Sequence, residues 1–305
     1  MTPTPAWLPL LAIASGLGFS LIAISYKLGE ARQVAPRYIA LVISIAGSIF
    51  YGIRSDGRLI AGVPAEVWIT GAVVGVGQYA CVRLIAVALA RGPLSPMWCA
   101  VGLGFLPAVL YAAFYLGERL GVAQVCGVLA GIGCIVVASF EETEKEENGR
   151  EVQGGVGARV VYGIVLFLLL ALNGMPNATI KYFGARLTSD GQNYMYLYGD
   201  SYLFFLYFGL AVLLLADVLL ARAKNVPWRS AVALGCLAGA GSIGGLWALS
   251  RCSVLPAALV FTGSGVASLL SATLVSVFFL GEKRTPIWYG TVGLAVLAIM
   301  LVNMP

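Results

Sequence analysis

From Trp7 to Asn303 the sequence falls into ten apolar stretches, and this pattern constrains the fold more than any other feature. They run over Trp7–Tyr26, Pro36–Ile53, Ala65–Ala90, Leu94–Leu116 and Val122–Ser139, then Val160–Phe183, Tyr196–Ala221, Ala231–Ser250, Leu255–Leu280 and Pro286–Asn303. About 20 apolar residues in a helix cross a bilayer. The second stretch is short and the third long, differences that tilt or local thinning absorbs. Hydrophobic residues make up 60% of the chain and charged residues 11%, less than half the charged share of a typical soluble domain (about 25%). In lipid the backbone must satisfy its own hydrogen bonds, so only helices or a closed barrel span. The runs lack the strict alternation of barrel strands. The expectation is an all-α integral membrane protein with ten transmembrane helices.

A short motif closes two of these stretches. Leu116-Gly117-Glu118-Arg119 ends the fourth and Leu280-Gly281-Glu282-Lys283 ends the ninth, 164 positions apart (282 − 118). One more apolar stretch follows each copy. Gly ends a helix cheaply, and an acid beside a base suits the headgroup region. Each corner therefore reads as an interfacial turn. The first stretch of each half ends alike, Ser25-Tyr26-Lys27 against Thr179-Ile180-Lys181, 154 positions apart (181 − 27). Extra loop residues around Ala185 to Asn193 account for the difference in offset. Between the halves, Glu141 to Arg159 is rich in acid and glycine, too polar to bury itself, and reads as a flexible aqueous linker. The expected organisation is residues 1–140 and 160–305 as two five-helix repeats joined by linker 141–159. An odd number of helices per repeat inserts the second one upside down.

A duplicated five-helix unit with this corner resembles the EamA-type drug/metabolite transporter superfamily, and the resemblance covers nearly the whole chain. It implies a ten-helix secondary transporter whose first, third, fourth, sixth, eighth and ninth helices surround a central cavity, with both termini in the cytoplasm. The basic residues point the other way: the side opposite the termini is richer in Lys and Arg, which the positive-inside rule assigns to the cytoplasm. No substrate motif of the sugar-phosphate or nucleotide-sugar branches is present.

Several chemistries are disfavoured by composition. There is no histidine, and the six cysteines (Cys81, Cys99, Cys126, Cys134, Cys236, Cys252) form no C-x-x-C pair, which speaks against a structural zinc site or a His-based triad. The cysteines read as small packing residues. No cofactor is indicated. The net charge of +5 is spread over loops without a basic, aromatic-laced stripe, so nucleic acid is not an expected partner. The N-terminus lacks the basic n-region of a cleaved signal, so the first stretch is expected to stay as a helix. Gly71/Gly75, Gly127/Gly131, Gly235/Gly239 and Gly241/Gly245 have the spacing that lets helix backbones approach.

Polar groups at membrane depth are costly and mark pathways or packing. In the sixth stretch Asn173, Asn177 and Lys181 share one helix face, and Pro176 frees the carbonyl of Leu172. That strip can hold a hydroxylated or charged solute; alternatively the amides bond neighbouring helices and Lys181 snorkels. Arg83 lies about two turns inside the third stretch, behind Gln78 and Tyr79. It is either an anion-binding guanidinium or a snorkelling anchor. Trp247, at the repeat offset from Arg83 (83 + 164), together with Trp98, Ser242, Thr262 and Ser264, completes the candidate lining. Asp200 and Asp217 lie near span ends, leaving few carboxylates for a proton relay. The leading expectation is a secondary transporter of a small polar metabolite in the cell membrane. The alternatives are a lipid-linked sugar translocator and an intramembrane enzyme, the latter opposed by the missing mid-span acids.

Overall fold

The computed structural model describes residues 7–55, 62–91, 100–145, 156–221, 226–279 and 286–304. Among the described residues the protein is all-helical, with ten helices in chain order: α1 (Leu8–Ala31), α2 (Pro36–Arg54), α3 (Ala65–Arg91), α4 (Ala100–Tyr115), α5 (Val122–Lys145), α6 (Val156–Gly184), α7 (Tyr194–Ala221), α8 (Trp228–Cys252), α9 and α10 (Pro286–Val302). Helix α9 begins as a π-turn over Ala258–Thr262 and continues as an α-helix through Gly263–Phe279. Six of the ten, α1–α3 and α6–α8, are long and apolar enough to cross a membrane. Helix α5 runs on to Lys145 and α6 starts at Val156, so both reach into the acidic segment between the halves. The remainder of that segment lies outside the described residues, as do the Leu280-Gly281-Glu282-Lys283 corner, Trp98 and Cys99.

Local chemistry sets the helix ends. Pro36 opens α2, where a missing N–H costs nothing. Gly117 closes α4 with φ +67°, a conformation that side chains other than glycine resist. There the Leu116 and Glu118 N–H groups both reach back to the Ala112 carbonyl, at 3.2 and 3.1 Å, so the chain turns over the end of the helix.

The dominant helix pairs join the two halves of the chain: α1 with α8 and α9, α2 with α7 and α8, α3 with α6 and α7, α4 with α6, and α5 with α10. One large core takes residues from both halves, with Ile39, Tyr51, Phe105, Phe183, Tyr202 and Phe261 all within it. The glycine pairs mark these seams. Side chains at Gly71 or Gly75 would strike α7 backbone at Tyr202 and Leu206; at Gly235, Val42 of α2; at Gly241 or Gly245, Gly18 and Phe19 of α1. At Gly71, Gly75 and Gly241 the obstacle is backbone, so only glycine lets those helices approach as they do, whereas at Gly235 and Gly245 it is a side chain.

Candidate functional site

Helix α6 carries the polar strip, and the structure assigns each member a partner. Pro176 frees the Leu172 carbonyl, and the Gln78 amide of α3 donates to it at 2.8 Å. Asn173 donates to the Val101 carbonyl at 2.8 Å and Asn177 to the Gly104 carbonyl at 3.1 Å, both on α4. A side chain at Gly104 would meet the Asn173 amide 2.5 Å away, so this glycine lets the two helices close on that bond. Gln78, Asn173 and Asn177 thus form one seam in which α6 is stitched to α3 on one side and α4 on the other. Each amide N–H is given to a carbonyl of a neighbouring helix.

Lys181, one turn further along α6, is 2% exposed. Its ammonium pairs with the Glu118 carboxylate and donates to the Leu255 carbonyl at 2.8 Å. The other Glu118 oxygen accepts the Ala257 N–H at 2.8 Å, at the start of α9. Helix N-termini present unpaired N–H groups and partial positive charge, so a carboxylate is favoured there. The first corner is therefore more than a turn. Glu118 joins the end of α4 to the end of α6 and the beginning of α9. A local reading balanced it against Arg119; the signal that could have found its partner is the recurrence of Lys27/Lys181 and Glu118/Glu282 in the two halves.

Two more ion pairs lie at the same end of the bundle. Glu66, in the first turn of α3, accepts from Arg186 at 2.6 Å and from the Tyr182 hydroxyl. The hydrogen bond to Glu66 raises the Arg186 pKa further above its ordinary range. Arg54, at the end of α2, faces Asp200 of α7 at 3.3 Å. All three pairs connect a residue before the acidic segment to one after it.

The remaining candidates fall elsewhere. Arg83, five residues beyond Gln78 on α3, turns to α7 instead of α6 and pairs with Asp217 at 2.5 Å, toward the opposite end of the bundle from Glu118. Tyr79 packs with the small cluster of Ala40, Leu41, Leu210 and Leu214. The Ser242 hydroxyl bonds the Tyr207 hydroxyl at 2.6 Å. Ser264 bonds Ser15 of α1 at 2.6 Å. Trp247 lies under the Arg251 guanidinium, 5.8 Å from ring to charge. Thr262 packs its methyl group toward Gly131 of α5. The Trp247 indole N–H and the Thr262 hydroxyl are buried without a partner among the described residues.

No family model and no curated protein matches this sequence. Solved structures do: 27 chains match. One, described simply as "Crystal structure of protein", superposes with a TM-score of 0.73 over 98% of this chain and 97% of its own, at 20% sequence identity. At that identity the likeness is one of fold alone.

Proposed function

We propose that this protein is a secondary transporter of the drug/metabolite transporter type, carrying a small polar metabolite across the cell membrane between two inverted five-helix repeats. The observation that carries this reading is the exchange pattern of the helix contacts. Adding five to each helix number, and counting round from α10 to α1, turns α1–α8 into α6–α3, α1–α9 into α6–α4 and α2–α8 into α7–α3, while α2–α7 and α5–α10 map onto themselves. Two copies of one five-helix unit related by a two-fold axis produce such a pattern. With five helices per copy, that axis lies in the membrane plane and both termini fall on one side.

Two equivalent halves can exchange conformations, so an opening at one end has a counterpart at the other. The three ion pairs at the Glu118 end fit this scheme as a latch. Every pair bridges the halves, and an opening at that end must separate them. Transport then alternates between this latched arrangement and one opened there. The polar seam of Gln78, Asn173 and Asn177 lies between α3, α4 and α6, three of the helices that the resemblance places around the substrate.

A ligand-stabilisation screen of the purified protein against amino acids, sugars, nucleotides and their phosphates tests this reading. A ligand that binds the folded state raises the apparent melting temperature in proportion to RT ln(1 + [L]/Kd). Hits are then assayed for uptake into proteoliposomes. If stabilising solutes are bound but never moved, the transporter reading fails.

A further inference from the structure

The end of the bundle opposite the latch carries a charged cluster that the transport scheme does not use. Asp217 of α7 lies between Arg83 of α3, at 2.5 Å, and Arg37 of α2, at 3.9 Å. The Asp217 side chain is 11% exposed, whereas that of Arg83 is 52% exposed. Beneath them the small apolar cluster of α2, α3 and α7 is capped by the triad.

Two guanidinium groups around one carboxylate leave a net positive charge. Arg37 also donates to the Tyr38 hydroxyl at 3.1 Å, whereas the half-exposed Arg83 guanidinium carries N–H donors beyond the one it gives to Asp217. Arg83 also occupies a telling position on its helix. Ile69, Val73 and Val76 are exposed apolar residues of α3, and Arg83, seven residues beyond Val76, continues their stripe. It is rooted about 12 Å from the helix end by the rise per residue. Its partner Asp217 is one turn from the end of α7, and Arg37 is at the start of α2. The guanidinium therefore reaches from an apolar face toward the bundle end, as a snorkelling Arg does. The neighbouring face of α7 exposes Val212, Leu215 and Leu219, so apolar surface adjoins the charge.

We infer that the Arg37–Asp217–Arg83 triad binds the phosphate headgroup of an anionic phospholipid, whose acyl chains lie along the exposed faces of α3 and α7. The guanidinium groups supply the fork that phosphate oxygens accept. The apolar stripe supplies contact that a free phosphate would not use. Asp217 holds the two arginines together and keeps the site from being a bare repulsive pair. This assignment rests on the membrane-spanning part of the proposed function and is independent of any transported solute.

Thermal unfolding of the detergent-purified protein, titrated separately with phosphatidylglycerol, phosphatidylcholine and inorganic phosphate, tests it. Phosphatidylglycerol should raise the melting temperature saturably, with little effect from the other two. Arg83→Gln should weaken the apparent phosphatidylglycerol affinity at least fivefold. Arg83→Lys, which keeps the charge and loses the fork, should fall between. Should Arg83→Gln fail to fold, Arg37→Gln carries the same comparison. Equal shifts with the two lipids, or unchanged affinity in the variants, would overturn the lipid site while leaving the transport reading standing. An equal response to inorganic phosphate would reassign the site to free phosphate. Failure of the protein to enter liposomes would remove the membrane reading itself.

Discussion

The Glu118 carboxylate is ion-paired with the buried Lys181 ammonium, although the two residues come from different halves of the chain. A buried charge survives only with a counter-charge and with its remaining hydrogen-bonding capacity used. Lys181 has both, in Glu118 and the Leu255 carbonyl. Glu118 is the more exposed partner and also holds the Ala257 N–H at the start of α9.

The two partners should respond unequally to substitution. Glu118→Ala leaves an uncompensated ammonium in the core and should cost about 3 kcal/mol. Lys181→Met should cost less, because Glu118 can hydrate and keeps its bond to α9. The double variant should be more stable than Glu118→Ala alone, a coupling that thermal unfolding of the four proteins in one detergent would measure. Additive losses would mean that the two charges do not stabilise each other.

The outer pairs of the latch should act on conformation more than on stability. Arg54–Asp200 and Glu66–Arg186 are substantially exposed, and such pairs contribute about 0–1 kcal/mol each. If they favour the latched state by about 1 kcal/mol together, removing them raises the opened population about fivefold. Ser253 is fully buried at this end, packed against Gly184. A Ser253→Cys probe, in a background with the exposed Cys126 and Cys236 replaced, should react faster with an impermeant maleimide once Arg54→Gln and Glu66→Gln are added. An unchanged rate would leave these pairs as passive surface contacts.

Gln78 and Leu172 separate what sequence reveals from what it hides. Pro176 announces a carbonyl without its helical donor, because proline has no N–H. It does not say which residue will supply the bond. The donor comes from another helix 94 positions earlier, and only assembly of α3 on α6 decides it. Glu118 and Lys181 are the same case with charges. The ten helices were legible because apolar run length is a local property. Gly117 as a helix stop was legible for the same reason. The place of Arg83 about two turns inside α3 follows from one helix, whereas its partnership with Asp217 needs two. Gln78→Leu should remove the donor to Leu172 and cost about 1 kcal/mol in unfolding measurements. A loss near zero would mean that another group satisfies the carbonyl.

The seam between α1 and α8 provides a test whose sign differs between two glycines on one helix. Alanine is favoured over glycine in a helix interior by about 1 kcal/mol, so a neutral environment predicts stabilisation. Gly244 of α8 has nothing within 4 Å of where a methyl group would sit. Gly241, three residues earlier, would put that methyl against the Gly18 carbonyl oxygen of α1, and the reciprocal change at Gly18 would meet the Gly241 carbonyl at 2.7 Å. Backbone on both sides leaves no side chain to swing away, so α1 and α8 must part. Overpacking of this kind costs about 1–3 kcal/mol, enough to outweigh the gain in propensity. Gly244→Ala should therefore match or exceed the parent in melting temperature, and Gly241→Ala should fall below it. If both variants move in the same direction by similar amounts, α1 and α8 do not meet backbone to backbone at this level, and the seam that pairs the two halves is drawn wrongly.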